Sequence, residues 1–178
     1  MFGKKKPKEE SKENTTLEMS EKQKKEDIKE KISKGHLKVH LIFEVVGKPA
    51  EFIDETIRKL IIELEKEKEL EFLGKEIGTA KPYVMKTDAG EKTDLFSTYA
   101  EVEILIESLK RLIQIIFDYM PSSVEISEPT EIKIKTQDSN LILNELAVKL
   151  HQYDLSNKKL VFQRNAIFNK LQELQKKK

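Results

Sequence analysis

His36, His40, Glu44, Glu101 and Glu103 are the side chains whose types could move a proton or hold a metal. Imidazole and carboxylate serve as general acids and bases and as ligands for divalent ions. All five fall in segments where apolar residues alternate, and alternation marks a strand with one buried face. On a strand, His36 and His40 lie about 13 Å apart, at roughly 3.3 Å per residue. They cannot share one metal as an i, i+4 pair on a helix could. Glutamate, histidine and lysine mixed on one strand face are the usual composition of a solvated surface. The reading therefore expects no catalytic residue, no metal and no cofactor. The chain has no cysteine, which excludes thiolate zinc, iron–sulfur clusters, disulfides and a cysteine nucleophile. It has no G-x-x-x-x-G-K-[ST], no G-x-G-x-x-G and no H-E-x-x-H. Ser122 and Ser123 follow a helix end with no histidine near in sequence, so their hydroxyls are expected to satisfy local backbone groups.

The elements that hold these residues follow from periodicity. From His36 to Val46, Leu37, Val39, Leu41, Phe43 and Val45 share one face, which predicts a first strand. Gly47-Lys48-Pro49 breaks it and starts a helix with the stripe Ile53, Ile57, Leu60, Ile61 and Leu64. Glu71 to Ile77 is a second, less regular strand, and Pro82 to Thr93 reads as a loop with a turn at Asp88-Ala89-Gly90. Phe96 to Ile106 alternates most cleanly and is the third strand. Ser108 can cap a helix with the stripe Leu109, Leu112, Ile113, Ile116 and Met120, which Pro121 ends. Val124 and Ile126 begin a fourth strand, and Ile132 and Ile134 suggest an extension or a fifth. Strand–helix–strand twice over predicts an α+β fold, a ferredoxin-like βαββαβ sandwich over 35–136.

The sheet face away from the helices would carry His36, Lys38, His40, Ile42 and Glu44, then Ser97, Tyr99, Glu101, Glu103 and Leu105, with Glu125. An RNA-recognition sheet needs aromatic platforms and basic residues. Tyr99 is the one aromatic there, and Glu101 and Glu103 beside it repel phosphate. Ile42, Tyr99 and Leu105 point instead to packing against another copy or the C-terminal helix. Gly47 sits at a strand-to-helix turn similar to one that contributes to an amino-acid site in ACT-like domains.

From Asn140 to Leu174 there is neither proline nor glycine, which permits one long helix over 137–178. Leu143, Leu146, Leu150, Tyr153, Asn157, Leu160, Arg164, Ile167, Leu171 and Leu174 alternate at spacings of three and four. That is the seam of a coiled coil, with Asn157 a residue type that fixes register. The seam predicts a homodimer. Asp154 to Lys159 is the patch where the helix would break if it did. The outer face carries Lys158, Lys159 and Lys170 and ends in Lys176, Lys177 and Lys178.

The near-neutral net charge of +1 hides a segregation. Residues 1–34 carry +3, residues 35–148 carry −8 and residues 149–178 carry +6. Basic ends suit RNA or the ribosome through Lys4, Lys5, Lys6 and the C-terminal lysines. Residues 1–34 have few large apolar side chains and read as a disordered charged arm, with a short helix from Ser20 to Ser33 allowed. No apolar run exceeds four residues and none follows the basic start, so neither a membrane span nor a signal peptide is expected and the cytoplasm is the expected compartment.

The run Phe117-Asp118-Tyr119-Met120-Pro121-Ser122-Ser123-Val124-Glu125-Ile126, with the strand before it, resembles an uncharacterised family of small archaeal proteins with a ferredoxin-like core. The resemblance spans 36–155. It implies the fold and an archaeal-type origin, and no activity. The sequence thus predicts a non-enzymatic, self-associating adaptor. The alternatives are a nucleic-acid- or ribosome-binding factor using the basic termini and an ACT-like sensor of a small molecule, the least expected of the three.

Overall fold

The computed structural model describes residues 10–86 and 92–176, with side chains over 22–84 and 94–175. The chain divides into two compact units, Met1–Ile132 and Lys133–Lys178. In the first, the order is α1 (Glu10–Ser33), β1 (Leu37–Gly47), α2 (Ala50–Leu64), β2 (Leu70–Ile77), β3 (Lys81–Lys86), β4 (Lys92–Ile106), α3 (Leu109–Tyr119) and β5 (Ser123–Glu128). The second unit holds α4 (Thr136–Lys176).

The five strands form one antiparallel sheet in the order β2-β4-β1-β5, with β3 also paired to β4. β1 and β2 both run against β4, so they are parallel to each other with β4 between them. β4 and β5 likewise flank β1. Each strand–helix–strand connection therefore crosses one intervening strand. β4 is the longest strand, and its register with β1 runs from Leu37↔Ile106 to Gly47↔Phe96.

Alternation fixes which side is core. Leu37, Val39, Leu41 and Phe43 from β1 and Ala100, Val102, Ile104 and Ile106 from β4 are buried. They meet Ile57, Ile61 and Leu64 of α2 and Leu112 and Ile115 of α3. The α3 cap is as the sequence predicts: Ser108 accepts from the Arg111 backbone N–H at 3.2 Å. Its far end is not, because Met120 takes the left-handed C-cap position at φ 50° and stands exposed instead of joining the apolar stripe.

Three expectations are corrected. Pro82 to Thr93 is not a loop throughout, since β3 pairs with β4 from Lys81↔Ser97 to Lys86↔Lys92. Proline at position 82 hides an edge strand, where a missing N–H is tolerated. Residues 87–91, the expected turn, lie outside the described residues. Ile132 and Ile134 form no strand, and both are exposed. The arm, expected to be disordered with a helix allowed from Ser20 to Ser33, is helical from Glu10 over its described part, as α1. Glu and Lys at helical spacing support it, with Lys31 to Asp27 at 2.7 Å and Lys34 to Glu30 at 2.6 Å. Lys31 also reaches Glu71 of β2 at 2.7 Å, which ties α1 to the sheet.

A polar clamp joins the α2–β2 turn to α3. Glu67 accepts from Arg111 Nη2 at 2.5 Å and from the Tyr119 hydroxyl at 2.6 Å. The Tyr119 hydroxyl holds the Glu67 carboxyl below its ordinary value; burial opposes this and Arg111 adds to it. Burial, then Glu67, pushes Tyr119 up to about 12. A lowered carboxylate stabilises the fold above its unfolded value and loses that stabilisation as pH falls through the folded value. A raised tyrosine stabilises below its unfolded value and loses that between about 10 and 12. Tyr119→Phe should therefore cost roughly 1–2 kcal/mol at neutral pH. In urea unfolding, the gap between wild type and variant should close from about pH 10 to pH 12. A constant gap would contradict the clamp.

Candidate functional site

The exposed face of the sheet collects the polar residues of β1 and β4 as alternation predicts. Lys38, His40, Ile42 and Glu44 stand opposite Leu105, Glu103, Glu101 and Tyr99, in that order. Glu125 of β5 lies beside His40. Lys38 bonds Glu103 at 2.7 Å, and His40 Nε2 lies 3.6 Å from Glu101. Among the described residues, no group of three or more His, Asp or Glu side chains is placed to hold a metal ion.

Leu105, one of the apolar residues the sequence places on this face, is only 2% exposed. Its register partner on β2 is Glu71, the residue that Lys31 of α1 grips. Asp27 first and Glu71 second, both accepting hydrogen bonds, raise the Lys31 ammonium above its ordinary value. Toward the other end of the face lies a groove of about 400 Å³, lined by Ile42, Glu44, Val46, Tyr83, Tyr99 and Glu101 among others. Tyr83 comes from β3, the strand that sequence reasoning took for loop.

Tyr99 is held from two sides. Its hydroxyl donates to Glu76 at 3.0 Å, and Glu76 raises its ionisation above the ordinary tyrosine value. Its ring lies against Gly78, where an added Cβ would be 2.7 Å from Tyr99 Cε1. Glycine is required here for room. Gly78→Ala should displace the ring and lower the melting temperature by roughly 4 °C or more. It should also return the Tyr99 ionisation toward its ordinary value, read by ultraviolet or NMR titration. An unmoved titration would show that the ring never rested on Gly78. Gly47, the expected turn glycine, has a packing reason too: a Cβ there would be 3.2 Å from the buried Ile53 side chain.

In the second unit, α4 runs unbroken for 41 residues, about 60 Å at 1.5 Å per residue. The patch Asp154 to Lys159 does not interrupt it, and Asp154 pairs with Lys158 at 2.6 Å. All ten seam positions, Leu143 through Leu174, lie on this one helix. All are exposed, and among the leucines, Ile167 and Tyr153 the least so is Leu146 at 37%. Arg164 bonds Asn165 Oδ1 at 3.1 Å. Lys158, Lys159 and Lys170 are exposed on the same helix. Lys4, Lys5, Lys6, Lys177 and Lys178 lie outside the described residues, as does the side chain of Lys176.

The seam is not the helix's one apolar feature. Leu141, Val148, Leu155 and Phe162 recur every seven residues and are exposed, Phe162 at 75%. At 3.6 residues per turn they fall about half a turn round from the seam. Sequence reasoning passed over them because it followed one heptad seam. The same seven-residue spacing, counted from Leu141, reveals them. Among the described residues no helix is long and apolar enough to cross a membrane.

A family model described as the MJ0538 family matches residues 14–178. No curated protein matches the chain.

Proposed function

The chain belongs to the MJ0538 family, and from that premise we propose that it is a non-enzymatic, self-associating adaptor that joins copies through α4. The supporting observation is the seam: ten positions at three-and-four spacing, exposed along one continuous helix. A helix in water with that much apolar surface along one side is stabilised by burying it against a neighbour. Asn157 in the seam sets register at some cost in stability. The second stripe supports the adaptor part of the reading. One face of the helix joins copies while the opposite face stays open to a partner. For the core, we read the order β2-β4-β1-β5 with two split strand–helix–strand units as a ferredoxin-like sandwich, β3 being an added edge strand. Sedimentation of the full chain should give a mass twice the 20.7 kDa of one copy. A single-copy mass at all concentrations would refute self-association.

A second reading is favoured by one observation. Phe162 is exposed three and four residues after Lys159 and Lys158, an aromatic beside cations as in single-strand binding surfaces. If α4 holds RNA, affinity should fall steeply between 50 and 200 mM salt. Lys158→Gln with Lys159→Gln and Lys170→Gln should then weaken it further. Salt-insensitive binding would remove this reading.

A further inference from the structure

We propose that the exposed face of the sheet is a docking site for a lysine- or arginine-bearing amphipathic helix of a partner protein. The site is formed by residues of the first unit alone. α2 and α3 cover the other face of the sheet and α1 lies against one end of this one, and the remaining, partly apolar part is stabilised by a similar cover. This face is partly apolar. Ile42, Val46, Tyr83 and Tyr99 line the groove, and Val46 and Tyr83 are each more than 40% exposed.

The groove is also built. Gly78 gives up its side chain so that the Tyr99 ring can lie across it, and Glu76 fixes the ring's far end. A purely solvated face has no use for a ring positioned from two sides.

Charge then selects the occupant. Glu44 and Glu101 stand in the groove, and Glu76, Glu103 and Glu125 lie around it on β2, β4 and β5. The face's own cations are Lys38, already bonded to Glu103, His40 beside Glu101, and Lys81 at the groove's edge. At the groove itself Glu44, Glu76 and Glu101 outnumber Lys81, whereas at the far end of the face Lys24, Lys25 and Lys29 of α1 share a pocket with Lys38 and Glu103. A groove that mixes Ile42, Val46, Tyr83 and Tyr99 with Glu44 and Glu101 complements a helix that carries apolar residues on one side and cations beside them. The same carboxylates repel a phosphate backbone, so nucleic acid is not the occupant here.

The test uses the full chain and a synthetic helical peptide of about 15 residues, with leucines at i, i+3, i+4 and i+7 and lysines elsewhere. A matched peptide carries glutamate in place of lysine. Fluorescence anisotropy should show that the lysine peptide binds and the glutamate peptide does not. Glu44→Gln with Glu101→Gln should weaken binding about tenfold, the sum expected for two partly exposed charge pairs. Tyr99→Leu should weaken it as well. Glu51→Gln with Glu107→Gln, which removes two carboxylates away from the groove, should leave it unchanged. Equal loss from the two glutamate pairs would overturn the site, as would equal affinity for the two peptides. If Glu44→Gln with Glu101→Gln instead lowers the mass of the assembly, the occupant is a second copy and the proposal fails. NMR shifts on β1 and β4 caused by an RNA oligonucleotide would contradict it equally.

Discussion

If copies join through the α4 seam, replacing Leu150 and Leu160 together with glutamate should give a monomer. Both leucines are exposed on α4, one at each kind of seam position. Burying a leucine stabilises by about 1.5–3 kcal/mol. Two on each of two helices contribute about 6–12 kcal/mol, and glutamate in a seam adds like-charge repulsion. At 1.4 kcal/mol per tenfold, the dissociation constant should rise by at least about 10⁴. Sedimentation would then give a single-copy mass for the variant and a doubled mass for the wild type at the same concentration. The melting transition of the sheet unit should be unaffected, because neither leucine belongs to its core cluster. An unchanged mass would move the self-association interface off the seam.

Phe43→Ala should have the largest effect on stability. Phe43 is 1% exposed at the middle of β1, and its register partner on β4 is Ala100, the smallest side chain of the buried face. The ring fills the space that alanine leaves, so truncation opens a cavity that neighbouring strands cannot close. The expected cost is about 3–5 kcal/mol, against a typical total of roughly 5–15 kcal/mol. Urea unfolding of the full chain would measure it. The complementary Ala100→Leu should destabilise by overpacking, by about 1–3 kcal/mol. A loss below 1 kcal/mol for Phe43→Ala would mean that the sheet and its helices do not enclose this residue.

Much of this architecture is legible in the sequence because one buried face per strand leaves a period of two. Leu37 to Val45 and Phe96 to Ile106 carry that period without interruption, and both are strands paired to each other. The Ser108 cap is legible because a hydroxyl before an apolar helix has one strong use. What was missed lay where local signals oppose tertiary ones. Pro82 and the nearby Gly90 speak for a loop, yet β4 offers an edge that a six-residue strand can join. The helix allowed from Ser20 to Ser33 begins earlier, at Glu10, and near its end Ile28 and Ile32 are half-buried one turn apart while Lys31 pairs with Asp27 and Glu71. Composition alone underrates such pairs. The exposed face was legible residue by residue through alternation. The groove was not, because Tyr83 comes from the unforeseen strand and the need for glycine at position 78 depends on where the Tyr99 ring lies.

Because the chain has no cysteine, single cysteines report on α4 without background. The most direct test of association through the seam is the maleimide labelling rate of cysteines placed one at a time at Leu146, Leu150, Gln152, Leu155, Lys159, Leu160 and Ile167 in the full chain. Association through the seam predicts slow labelling at Leu146, Leu150, Leu160 and Ile167, and fast labelling at Gln152, Leu155 and Lys159. It also predicts that dilution below the dissociation constant abolishes the difference. Uniformly fast labelling at high protein concentration would contradict the account.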